Sequence, residues 1–154
     1  MRLKKALAAI FSVLTFSWSC VIWSFSFASA EISGEQSTEV TGLINKLLGF
    51  LFEGGLSDAV VRKLAHFAEF AVLGAFVFLM LWAFSLRKLD NRTFLLLIIS
   101  AFVAGVDEGI QLGSPGRAFR ISDILLDISG AVTAFLILEL IVFVSKRIKN
   151  KKSR

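Results

Sequence analysis

From residue 6 to residue 30 the sequence carries no charged side chain, and three further apolar runs of similar length follow at 65–84, 93–112 and 121–144. About 20 apolar residues cross the hydrocarbon core of a bilayer, and a backbone placed there has to satisfy its own hydrogen bonds, so each run reads as a helix. With 56% hydrophobic residues, one proline and a mean hydropathy of +0.76, the chain is too apolar for a soluble domain of 154 residues. The expected fold is all-α: an integral membrane four-helix bundle with one extra extracytoplasmic amphipathic helix. The single cysteine, Cys20, lies inside the first run and excludes a disulfide within the chain. The net charge of +5 comes from basic residues flanking the apolar runs, a topology signal that does not point to nucleic acid.

Residues 1–30 form the first unit. Ala28-Ser29-Ala30 before Glu31 resembles a signal-peptidase site, but a signal core usually has about 7–15 residues and this run exceeds 20, which favours a retained transmembrane helix. Residues 31–61 form an extracytoplasmic segment. In it Val40, Leu43, Ile44, Leu47, Leu48, Leu51 and Phe52 recur at the spacing of one helix face, with Ser37 or Thr38 as cap and Gly54-Gly55 as terminator. This reads as an interfacial helix covering the bundle, and such a stripe more often marks a packed lid than a gate. Residues 62–145 form a three-helix core with turns around Arg87-Lys88 and at Ser114-Pro115-Gly116, and Ser122 stands where a cap for the last span is expected. Residues 146–154 are a basic tail.

With the N-terminus inside, Arg2, Lys4, Lys5, Arg87, Lys88, Arg92 and the tail place twelve of the seventeen basic residues in the cytoplasm. The positive-inside rule therefore favours four spans with both termini cytoplasmic, in a bacterial cytoplasmic membrane on the resemblance described below.

Asp107-Glu108-Gly109-Ile110-Gln111 interrupts the third run. A carboxylate in hydrocarbon costs roughly 2.5–3.5 kcal/mol on insertion scales and has to face the bundle interior or water. Candidate partners lie at matching depth: His66 and Glu69 near the start of the second span, and Asp123 and Asp127 near the start of the fourth. At 1.5 Å per residue, Asp107 and Asp127 lie roughly 8–10 Å from the outer ends of their helices. Ala101, Gly105, Gly109 and Gly113 form a row of small residues that invites a close helix contact beside this polar face, and Gly130 and Ala134 continue such a row on the fourth span. Glu139 lies toward the other end and has no partner in the sequence pattern beyond a lipid-interface or inter-subunit contact.

Three chemistries fit these residues. Arg117 and Arg120 suit phosphate or carboxylate, with Gln111, Asp123 and Asp127 completing a ligand-binding site. His66, Glu69, Asp107 and Glu108 suit a divalent metal that activates water, or catalysis directly. Carboxylates crowded around a histidine also suit proton relay. Each residue has a structural account as well: His66 and Glu69 as the wet end of a helix, Asp123 at a positive helix end, Arg117 and Arg120 as lipid anchors, and an Arg120, Asp123 and Asp107 network that only fixes bundle geometry.

Lys63-Leu64-Ala65-His66-Phe67-Ala68-Glu69-Phe70 with Leu73-Gly74, then Asp107-Glu108-Gly109-Ile110-Gln111, then Pro115-Gly116-Arg117 followed by Asp123 to Asp127 and Gly130-Ala131, together resemble the VanZ-like family of bacterial membrane proteins. The resemblance covers about half of the chain, from Arg62 to Ala134. It departs from the family pattern at Phe70, where an aromatic hydroxyl is common, and at Leu112-Gly113-Ser114. It implies a helical membrane protein with no settled catalytic assignment and marks His66, Glu69, Asp107, Glu108, Gln111, Arg117, Asp123 and Asp127 as the site. The family's founding member confers low-level resistance to the glycopeptide teicoplanin, which membership alone does not extend to this chain. The leading expectation is a protein that contacts membrane lipids and binds or modifies a polar or phosphorylated envelope component at the outer leaflet. The alternatives are a metal-dependent membrane hydrolase or transferase, and a structural or partner-binding subunit. Oligomeric state is open.

Overall fold

The computed structural model describes residues 2–28, 30–48, 55–85 and 88–152. The described residues form five helices: α1 Arg2–Ser26, α2 Ala30–Leu48, α3 Asp58–Ala83, α4 Leu89–Leu112 and α5 Ile121–Lys152. All except α2 are long and apolar enough to cross a membrane. Leu51, Phe52 and Gly54 of the expected amphipathic stretch, Ser29 of the processing motif, and Arg87 lie outside the described residues.

Helix α3 is the centre of the bundle, packed most extensively on α5, then on α1, and also on α2 and α4. Two glycines set the α3–α5 distance. A methyl group on Gly74 would collide with the backbone of Ala131, and one on Gly130 with the backbone of Phe67. In lipid, helices gain little by hiding apolar surface from each other, so backbone proximity of this kind supplies the van der Waals contact that joins them. The buried core lies around this crossing, with Phe70, Leu73, Val77, Ala131 and Phe135 on its two sides.

The row on α4 expected to provide the close contact does not. Ala101, Gly105, Gly109 and Gly113 are exposed, and a Cβ on Gly105 or Gly109 would meet nothing within 4 Å. The buried side of α4 is Leu96, Ser100, Val103, Ala104, Asp107, Glu108 and Gln111. Burying the carboxylates takes precedence, and the row falls on the opposite side as a consequence.

Helix α1 joins the bundle through polar contacts that its apolar run conceals. The indoles of Trp18 and Trp23 donate to the backbone carbonyls of Glu69 and Val103 at 2.9 and 3.1 Å. Ser12, Thr15 and Ser19 satisfy their hydroxyls on carbonyls one turn earlier, which lets a serine-rich helix lie in an apolar medium.

Helix α2 starts earlier than expected, at Ala30, and its two proposed caps lie inside it. Ser37 and Thr38 donate back to Ser33 and Gly34. Its apolar residues Val40, Leu43 and Leu47 are exposed, whereas Ser37 and Thr41 are buried against the bundle. The stripe therefore points outward and the hydroxyl face points in. Thr38 also bonds Asp58, and the Asn45 side chain both donates to and accepts from Leu56, pinning α2 to the start of α3.

After α4, Ser114 to Arg117 close a turn with Pro115 and Gly116 at the central positions. Gly116 has φ +75°, which a residue with a Cβ rarely adopts, and the Arg117 amide donates to the Ser114 carbonyl at 3.2 Å. Ser122 is not a cap: it lies within α5 and donates to Asp123. At the other end of the bundle Glu139 has a partner after all, the Arg92 guanidinium at 2.7 Å, which itself stacks on Phe78 and Phe135.

Replacing Gly74 or Gly130 with leucine should cost about 3 kcal/mol or more, since the clash is with backbone that has no room to yield. Leucine at Gly105 or Gly109 should be tolerated. Thermal unfolding of the detergent-solubilised variants checks the contrast, and equal losses at all four positions would contradict it.

Candidate functional site

Four helix ends meet at one end of the bundle: the last turn of α1, the second and third turns of α3, the last turns of α4 and the first turns of α5. This brings a serine, an imidazole and several carboxylates together. Asp107 is completely buried and has two donors. Ser26 of α1 donates its hydroxyl to Oδ1 at 2.5 Å, and Gln111, one turn along α4, donates its amide to Oδ2 at 2.7 Å. Gln111 also reaches the Ser26 hydroxyl at 3.3 Å, while Ser114 donates to the Ser26 carbonyl at 3.0 Å. The end of α1 is thus locked to the end of α4.

Glu108, 1% exposed, turns to the loop instead and accepts the Arg120 backbone amide at 2.8 Å. That bond fixes the approach to α5. Asp127 is as buried as Asp107, but its Oδ1 accepts no hydrogen bond. His66 Nδ1 lies 3.8 Å from that oxygen, beyond hydrogen-bond distance. One ligand atom each from His66, Asp107 and Asp127 fall within 4.8 Å of one another. Among the described residues, no other group of three acidic, histidine or cysteine side chains converges in this way.

Two cavities open beside this cluster. One, of about 200 Å³, lies between α1, α2 and α3 and is lined by Ser26, Ser33, Ser37, Glu69 and the apolar Phe25 and Val61. The other, of about 170 Å³, lies under the loop before α5 and is lined by Lys63, Gln111, Arg120 and Asp123. His66, Arg62 and Arg117 line both. Arg117 lies outside the spans. Burial, with Arg62 beside it, lowers its pKa, opposed by Asp107 and Glu108, and a guanidinium nonetheless stays charged. Its Nε is buried without an acceptor.

All nine residues singled out from the sequence therefore lie at this end of the bundle, in different settings. His66, Asp107 and Asp127 form the cluster. Glu69 lines the first cavity, and Arg120 and Asp123 line the second. Glu108 holds the loop, and Gln111 supports Asp107 while facing the second cavity. Ser26 escapes a motif reading because it lies in a serine-rich apolar run. Its phase does mark it: Ala8, Thr15, Ser19, Ile22 and Ser26 recur at helical spacing and are the buried residues of α1.

Ser26→Ala should cost roughly 1–3 kcal/mol, because it removes a donor from a buried carboxylate. Ser24→Ala, one turn face away and exposed, should change stability little. Thermal or denaturant unfolding of the two variants checks this, and equal effects would remove Ser26 from the site.

A protein-family model described as VanZ/LLP1 matches residues 11–142, reaching from α1 into the second half of α5. No curated protein and no solved structure matches the chain.

Proposed function

The chain belongs to the VanZ/LLP1 family of membrane proteins, and within that family we propose that it binds a phosphorylated lipid of the bacterial cell envelope by its headgroup. The observation that carries this reading is Arg117. It is a cation wedged between two cavities with a buried N–H that lacks an acceptor, and Arg62 lines both cavities with it. A guanidinium presents paired donors that match phosphate oxygens, and Lys63 and Arg120 extend the same charge around the second cavity. The serine-lined cavity beside it opens between helices, where an alkyl chain has lipid to run into, and the exposed apolar stripe of α2 flanks it.

The distribution of basic residues supports placing both termini in the cytoplasm and this site in the outer leaflet of the cytoplasmic membrane. A carrier lipid phosphate of wall synthesis has the required chemistry there, and an effect on glycopeptide susceptibility would act through such a lipid. A second reading, chemical modification of the lipid by a metal-dependent hydrolase or transferase, is favoured by the His66, Asp107 and Asp127 cluster next to the basic cavity.

Native mass spectrometry of the purified protein with a polyprenyl phosphate, its parent polyprenol and phosphatidylcholine tests the proposal. The phosphate should bind at least tenfold more tightly than the polyprenol, and Arg117→Gln should abolish that preference while Arg117→Lys retains part of it. Equal binding of polyprenol and its phosphate would refute headgroup recognition.

A further inference from the structure

We propose that His66, Asp107 and Asp127 bind one divalent transition-metal ion, Zn²⁺ or Mn²⁺, inside the bundle. Four observations carry this. First, the three donor atoms come from three different helices and lie within 4.8 Å of one another, His66 Nδ1 being 3.8 Å from Asp127 Oδ1. Metal–nitrogen and metal–oxygen bonds of about 2.0–2.2 Å place neighbouring donors roughly 3.3 Å apart, so the open arrangement needs to close by about 0.5–1.5 Å. Second, Asp127 Oδ1 is a fully buried carboxylate oxygen with no hydrogen-bond donor, an expensive state that a cation removes.

Third, Asp107 is held in the way metal-ligating carboxylates are: Ser26 donates to one of its oxygens and Gln111 to the other, and each oxygen keeps a second lone pair. Fourth, among the described residues neither Asp107 nor Asp127 has a lysine or arginine within ion-pair distance. One imidazole with two carboxylates suits Zn²⁺ or Mn²⁺ better than Mg²⁺, which prefers an all-oxygen shell with several waters. Three protein ligands leave further positions open, and His66 borders both cavities, so an exchangeable water or an anion oxygen has access.

The site stands independently of lipid recognition, because metal is counted without lipid and lipid binding is measured on Arg117 without metal. The test uses the full chain, untagged, in detergent, stripped with chelator and titrated with Zn²⁺ or Mn²⁺ alone. The expected result is one ion per chain and a rise in melting temperature on loading. Asp127→Asn should lower affinity at least tenfold, Ser26→Ala should lower it roughly tenfold through the loss of Asp107 support, and Asp90→Asn at the far end of the bundle should leave it unchanged. Because His66 is the only histidine, pulsed electron paramagnetic resonance of the Mn²⁺-loaded wild type should show one imidazole nitrogen coupled to the ion. That readout does not depend on any variant folding. No saturable binding, binding untouched by Asp127→Asn, or bound Mn²⁺ without nitrogen coupling would each overturn the proposal.

Discussion

Two aspartates without water decide the arrangement of this bundle. Asp107 and Asp127 are essentially inaccessible, each on a helix that otherwise suits hydrocarbon. Every unpaired charge there costs several times what a hydrogen bond returns, so the helices have to present donors to one another. Ser26 of α1 supplies one to Asp107, Gln111 on the same helix as Asp107 supplies another, and α3 brings the imidazole to 3.8 Å from Asp127. The phase of α4 follows from this requirement, as does the outward position of its small residues.

The two ends of the bundle solve the same problem differently. At the far end Glu139 and Arg92 neutralise each other in direct contact, with two phenylalanine rings against the guanidinium. Arg92 Nε and Nη2 are buried there without an acceptor. At the site end the acidic groups outnumber their donors, among the described residues the cations line cavities without an ion pair to the carboxylates, and the unsatisfied Asp127 Oδ1 and Arg117 Nε lie beside that open volume. An unbalanced polar cluster beside open volume is the physical signature of a place where something binds. Gly74 and Gly130 make it feasible, because the backbone contact of α3 and α5 occurs one to two turns from His66 and Asp127 and fixes their separation.

Much of this was legible in the residues. Run length gave the spans, and intramembrane charge gave the end of the bundle at which His66, Asp107 and Asp127 lie. The Pro115-Gly116 turn was readable because only one turn geometry suits that pair. The small-residue row of α4 was misleading, because spacing identifies a face but not what lies against it, whereas Gly130 of the row on α5 does make a close contact, with α3, where Gly74 matches it. The hydrophobic stripe of α2 was read correctly as a face, yet in lipid an apolar face is free to point away from the protein. Ser26 and the two tryptophans of α1 were not legible from motifs, since hydroxyls and indoles in an apolar run usually satisfy themselves locally or at an interface. The Arg92–Glu139 pair spans two helices at a separation that sequence spacing does not encode.

The central claim is spatial: imidazole and carboxylates from separate helices share one buried space. Magic-angle-spinning NMR of the bilayer-embedded protein, labelled with ¹⁵N in histidine and ¹³C in aspartate carboxyls, addresses it with a single unambiguous probe because the chain has one histidine. The account predicts dipolar coupling between the His66 ring and an aspartate carboxyl that disappears in Asp127→Ala and persists in Asp58→Ala. Absence of any such coupling in the wild type would contradict it.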